Sequence, residues 1–362
     1  MARKRVKRPR GGEVGNEPNT IMIEDRISQL PEPLIHHIFS FLPTIYLVQM
    51  SCLAKRWRWM WVSTPFLHFQ DSSGIHEMSD SREKFLKFVG KHMRYRTLNM
   101  QVPKTSMARF KFDTSFGLDS VAAHSRARGW LKIAIQNNVK ELDLRLKNYH
   151  LPQFVLNATS LTVLKLSEMK LEGLSLSTFP SLKVLSLTRM ESDGKLLQNV
   201  ISGCLIIEDL HIVGRGRLDS VDFSVSKTLK YLSLTSVKFT DQWLDGLVSG
   251  LPVLERITLL RFKSNSITIR SCSLKSLSID VPAKTLAVFK TPNLVCLSLT
   301  CVSSSIIWFE TFNLFEANLS IWYNSKHVAY DLMRILSNLN CKKMLLSIRE
   351  QVLNFFLLIL LQ

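Results

Sequence analysis

The chain has 362 residues, 46% hydrophobic and 21% charged, which describes a folded protein rather than a disordered one. Its net charge of +18 means that an anionic partner has to be weighed. The longest apolar run, Phe355 to Leu361, falls far short of the roughly 20 residues of a membrane span, and six scattered cysteines without a C-x-x-C pair argue against a zinc centre or a disulfide framework.

Residues 1–22 read as a disordered basic tail. "MARKRVKRPR" gathers Arg3, Lys4, Arg5, Lys7, Arg8 and Arg10 with no acid, leaving +12 for the rest of the chain. A nuclear-import signal is the expected role and a solvated tail the plain alternative. No apolar stretch follows the charges, so a secretory signal is not expected. Together with the cysteine usage, which suits a reducing compartment, the expected location is the nucleus and/or cytoplasm.

From Leu30 to Trp61, nineteen of 32 residues are apolar. "LPEPLIHHIFSFLP" predicts a helix opening at Pro31, where a missing N–H costs nothing, with Glu32 at the positive helix end. Pro43 starts a second helix, and a third is expected through "AKRWRWMWVS". At 100° per residue, Leu34, Ile38 and Phe41 share one side of the first helix, with Ile35, Phe39 and Leu42 beside them. The stripe is about 160° wide, more than one core needs. A unit of about 45 residues buries little of its own surface, so the excess width predicts a partner that covers it. The adjacent His36 and His37 point about 100° apart and cannot chelate one ion together. No metal or cofactor is expected.

These residues carry a resemblance. Leu30-Pro31, the spaced apolar positions, Phe41-Leu42-Pro43, and Lys55-Arg56-Trp57 followed by Trp61 make residues 23–69 similar to an F-box, particularly that of plant F-box/leucine-rich-repeat proteins. The resemblance implies a three-helix module that docks on the Skp-type adaptor, and through it the cullin, of an SCF ubiquitin ligase. Carried over position by position, the adaptor contact falls to Leu30, Pro31, Leu34, Ile35, Leu42, Val48, Leu53 and Trp57. The sequence departs from the family at Ile45-Tyr46, usually a charged pair, and at Ala54, usually a serine cap worth roughly 1 kcal/mol. Trp57 and Trp61 share the packing and docking side of the third helix, and Trp59 points away among cations.

Residues 70–135 form a connecting region and N-terminal cap. "SREKFLKFVGKHM" has Phe85, Phe88, Val89 and His92 at helical spacing, "MARFKFDTSF" alternates like a strand, and "DSVAAHSRARGWLKIAIQ" resumes a helix with Asp119 as its N-cap.

Across residues 136–350 an L-x-x-L-x-L pattern recurs ten times at intervals of 20 to 27 residues, its last anchors at Leu144, Leu166, Leu187, Ile212, Leu234, Leu259, Ile279, Leu299, Ile321 and Ile348. The period fits an irregular leucine-rich-repeat array, with "DGKLLQNVISGC" and "TDQWLDGLVSG" as helical inserts on the outer side. The expected architecture is therefore an α+β or α/β solenoid behind a small three-helix F-box. Between the last two anchors stand Asp143, Lys165, Ser186, His211, Ser233, Thr258, Ser278, Ser298, Ser320 and Ser347, seven of them hydroxyls. Such an inner face lacks the cationic stripe with stacking aromatics that nucleic acid requires, and suits a protein or small-molecule partner. His211, Trp322 and Arg349 are the candidate target contacts.

Residues 351–362 end the chain in an apolar run where a polar cap is usual, an expected mark of a shortened product lacking the relatives' C-terminal FBD region. No G-x-S-x-G, P-loop or H-E-x-x-H occurs, and "GRGRLD" at Gly214 has Asp219 in place of a third glycine, so no enzyme is expected. The reading is a non-catalytic substrate-recognition subunit of an SCF-type ligase with an unknown target. The alternatives are a nucleic-acid-associated repeat protein with a vestigial F-box, and an F-box protein acting outside ubiquitination.

Overall fold

Pro31 and Pro43 each hold extended backbone immediately before a helix. In the computed structural model they are N-caps, so the first helix begins one residue later than expected: α1 is Glu32–Phe39 and α2 is Thr44–Met50. The structure describes residues 29–54, 57–58, 60–71, 79–98, 107–114, 116–118, 120–171, 179–190, 194–223, 226–311, 314–322, 333, 335–337, 339–349 and 354–360. The six basic residues from Arg3 to Arg10 lie outside them, as do Lys55, Arg56, Trp59 and Asp119. The third helix is shorter than expected: a turn at Trp57–Arg58 precedes α3, Met60–Ser63.

The chain then enters a sheet at once. β1 is Phe66–Gln70, α4 is Ser79–Leu98, β2 is Arg109–Asp113 and α5 is Val121–Gln136. Ser120 caps α5 by accepting from the Ala123 N–H at 3.1 Å, replacing the expected Asp119. β2 pairs in parallel with β1 on one side and with the first repeat strand on the other, so β1, at the end of the 23–69 stretch, and β2, in the connecting region, extend the array by two strands.

All ten recurrences form strands of the same sheet: β3 Glu141–Arg145, β4 Val163–Ser167, β5 Val184–Thr188, β6 Asp209–Val213, β7 Tyr231–Thr235, β8 Arg256–Leu260, β10 Ser276–Val281, β12 Cys296–Val302, β14 Glu316–Trp322 and β15 Lys343–Arg349. Alternation explains them. In β3, Leu142 and Leu144 are fully buried, while Glu141, Asp143 and Arg145 face outward. The outer side is closed by α6 Gln153–Leu156, α7 Gly194–Ser202 and α8 Asp241–Gly250. Between β8 and β14 the outer side carries three short parallel strands instead, β9 Ser266–Arg270, β11 Leu286–Lys290 and β13 Ile306–Glu310. One apolar core runs from Leu67 to Leu346.

Tight turns follow several strands. Glu168, Arg189, Ser236 and Arg261, each directly after a strand, adopt positive φ between 49° and 60°. Their left-handed backbone costs on the order of 1 kcal/mol each. The first three donate their N–H to the last carbonyl of the next strand: Glu168 to Thr188, Arg189 to Val213, and Ser236 to Leu260.

Register corrects the last two repeats. Leu299 pairs with Leu319, and Leu319 with Leu346, so the anchors are Leu319 and Leu346 rather than Ile321 and Ile348. A two-residue slip preserves which face each side chain takes, because the strand period is two. It moves Ser320 and Ser347 into the row of Thr300, and puts Asn318 and Leu345 in line with Ser298. The apolar terminal run forms β16, Asn354–Leu360, antiparallel to β15, so its backbone closes that edge of the sheet.

Candidate functional site

Helical spacing gave α1 two apolar rows, and packing decides between them. Ile35 and Phe39 turn inward and join Leu47, Trp57 and Met60 in a five-residue core of their own. Phe39 and Trp57 meet edge to face at 6.2 Å. Leu34, Ile38 and Phe41 are left facing out, with Tyr46 and Leu53 beside them in the exposed set. Leu34 is 50% exposed, Phe41 71% and Leu53 75%. Among the described residues, His37 lies edge-on to the Phe41 ring, at 5.0 Å. Five large exposed apolar side chains on a module with a five-residue core form the kind of patch that a partner protein covers.

This sorts the eight expected adaptor contacts. Pro31, Leu34 and Leu53 are exposed, and Leu30, Leu42 and Val48 half-buried. Ile35 and Trp57, at 1% and 4% exposure, are core residues and support the surface from beneath. Ile38, Phe41 and Tyr46 belong to the exposed set and were absent from the expected one. The signal for Ile38 and Phe41 was present in the sequence, since they share the side of Leu34.

The module is bolted to the repeats rather than tethered. Thr44, fully buried, accepts from the His68 N–H of β1 at 2.9 Å. The largely buried guanidinium of Arg96 in α4 donates to the carbonyls of Val62 (2.9 Å) and Thr64 (2.5 Å) at the end of α3. Trp61 packs its ring 4.8 Å from His92 and 6.1 Å from Tyr95. Burial, and behind it the Arg96 charge, pushes His92 down to about 3, so this histidine is neutral in the folded protein. Trp61 thus serves the junction, not the docking side.

The inner face of the array divides in two. Its N-terminal third is ionic and self-compensating. Arg109 bonds Glu141 at 2.6 Å, Lys111 reaches Asp143 at 3.9 Å, and Lys165 reaches Glu141 at 3.7 Å. Glu168 takes Arg145 at 3.2 Å and Arg189 at 2.9 Å. Burial holds the Asp143 carboxyl above its usual range against the pull of Lys111 and Lys165. Two of these residues, Arg109 and Lys111, stand on β2, which the Leu-based pattern missed because its buried positions are Phe110 and Phe112. Further along, Ser186, Ser233, Thr258, Ser278 and Ser298 line one register row, broken by His211. His211 Nε2 lies 2.8 Å from Asp209.

Of the three candidate target contacts, the structure joins two. Trp322 and Arg349 are register partners, with the guanidinium 5.4 Å above the indole. His211 lies five strand spacings away, about 24 Å.

Known proteins carry the same two parts in the same order. A family model described as an F-box domain matches residues 27–68. Another, described as the LRR repeats of FBD-associated F-box protein At5g56370, matches residues 127–229 and 222–307. Among Arabidopsis thaliana proteins, the chain is 32% identical over 202 residues to putative F-box/FBD/LRR-repeat protein At3g59240, covering 52% of this chain and 38% of that one. It is 29% identical over 193 residues to F-box/LRR-repeat protein 25, covering 52% and 67%. With F-box/LRR-repeat protein At3g59200 it shares 31% over 206 residues, covering 53% and 37%. The matched stretch thus spans less than half of two of these three relatives.

Proposed function

The chain belongs to the F-box/leucine-rich-repeat family, and from that premise we propose that it is the substrate-recognition subunit of an SCF-type ubiquitin ligase. The F-box docks on a Skp-type adaptor and, through it, on a cullin, while the repeats hold a target protein. The observation that carries this reading is the outward row Leu34, Ile38 and Phe41, apolar surface that the module's own small core leaves uncovered. Rigid attachment through Thr44, Arg96 and Trp61 supports it further, because a target held by the repeats then keeps a fixed position relative to the adaptor.

The chain's contribution is proximity, which makes the encounter of target and ubiquitin-charged enzyme effectively intramolecular. The chemistry belongs to other subunits. Trp322 with the overlying Arg349 is the proposed anchor for the target towards the C-terminal end of the inner face, with His211 a separate contact. The basic tail is the proposed route to the nucleus.

Affinity purification of the intact chain from plant cells tests this. Co-purification of adaptor and cullin is expected. Adaptor without cullin points to a role outside ubiquitination, and neither, with salt-sensitive retention of DNA or RNA, refutes the proposal.

A further inference from the structure

The charge excess has a definite home. α4 and α5 together hold nine Lys/Arg against two acids, a net +7 of the +12 outside the tail. Two of the nine turn away from solvent: Arg96 serves the junction, and Arg82 lies 5.4 Å over the Phe116 ring. On α4, Lys84, Lys87, Lys91 and Arg94 follow one another at three- and four-residue steps and are all exposed. They occupy a stripe about 80° wide and about 15 Å long. Arg128 and Lys132 form a similar exposed pair on α5. The helices pack where Gly90 lies against Trp130, and Glu83 reaches across to Arg126 in a two-pronged bond at 3.0 and 3.1 Å. Arg128 and Lys132 lie about 120–160° round α5 from Arg126 and Trp130, so they point outward rather than at α4, and Arg128 rests 5.4 Å over the Phe154 ring of α6. The continuous stripe is that of α4.

The two acids are both spent at the start of α4. Asp80 pairs with Lys84 at 2.6 Å, and Glu83 with Arg126 and, at 4.0 Å, Lys87. Among the described residues no acid pairs with Lys91 or Arg94. In line with that unpaired end stand Tyr95 and Leu98, both large and exposed.

We propose that this face docks an acidic protein segment that also carries an apolar residue. Charge complementarity sets the sign, and Tyr95 and Leu98 supply the apolar contact beside the unpaired cations. A nucleic-acid strand would want several stacking rings, and the stripe offers one. A lipid surface would want the apolar side of α4, but Leu86, Val89 and Met93 are buried in the array core. The surface is separate from the outward row of the F-box and does not depend on the ligase reading.

The test uses the full chain and fluorescence anisotropy with three probes: a labelled glutamate-rich peptide with one leucine, the same peptide without it, and a polythymidine strand of equal charge. Lys91→Glu with Arg94→Glu is compared with Lys147→Glu with Lys263→Glu, exposed lysines elsewhere that give the same net charge change. The patch variant should weaken the leucine peptide at least about tenfold and the control about twofold or less. Tyr95→Ala should weaken only the peptide that carries leucine. Equal losses from both double variants, or a patch effect larger on polythymidine than on peptide, overturn the proposal. Unchanged melting of each variant verifies that it folds.

Discussion

The F-box and the repeat array solve the same problem in opposite ways. The array stacks strand on strand, so each repeat's leucines are covered by the next, and one core runs the length of the molecule. The F-box has no copy of itself to stack on and meets the array at its α2 and α3 side. Five side chains make its core, and as many large apolar ones remain outside. The same residue types therefore mean different things in the two regions: burial reports folding in the array, and exposure underlies the proposed docking of the F-box.

Truncations should separate the two most sharply. Trp57→Ala removes the largest side chain of the five-residue core and should cost the F-box about 3–5 kcal/mol. Limited proteolysis should then show the module cut early while the array resists. Leu210→Ala, fully buried in β6, should lower stability by about 2–5 kcal/mol in chemical denaturation without exposing the F-box to protease. Simultaneous digestion of both regions in either variant would mean that the two cores are one cooperative unit.

The junction should respond to acid. His92 is neutral when folded, with its pKa pushed down to about 3, and titrates near 6.5 when unfolded. Between those values the unfolded chain binds the extra proton, so stability falls as pH falls, by about 2 kcal/mol from pH 6.5 to pH 5. His68, lowered to about 4 chiefly by burial and then by Lys111, adds in the same direction. Thermal melts of His92→Phe should show a shallower loss over that window than the parent chain. An unchanged slope would exclude His92 as the group responsible.

The smallest stability effect belongs to the inner face. Trp322→Ala should shift stability by no more than about 0.5 kcal/mol, since the ring is partly exposed, yet reduce the set of proteins labelled by proximity from the intact chain. An unchanged set would remove Trp322 from the proposed target contact.

How much of this was legible in the sequence follows from what each element depends on. All ten repeat strands were, because a strand that buries alternate leucines writes its own period. β2 was legible as an alternating strand but not as part of the array, and β1 was not read at all, because Phe69, Phe110 and Phe112 replace leucine at the buried positions. The left-handed turns at Glu168, Arg189, Ser236 and Arg261 carry no glycine to announce them. The two-residue slip at Leu319 and Leu346 preserves alternation, so only pairing reveals it. In the F-box, the helical wheel gave two apolar rows of α1 but not which faced inward, since that depends on where α2 and Trp57 lie. Ile35 and Trp57 enter the expected contacts through the resemblance, and the structure buries both.

The central claim is that Leu34, Ile38 and Phe41 are a docking row and not a packing row. Adaptor binding by the full chain carrying Leu34→Asp with Phe41→Asp, measured alongside its melting curve, tests it most directly. Adaptor affinity should fall on the order of a hundredfold with stability held within about 1 kcal/mol. Undiminished adaptor binding, or melting lowered as far as by Trp57→Ala, would contradict it.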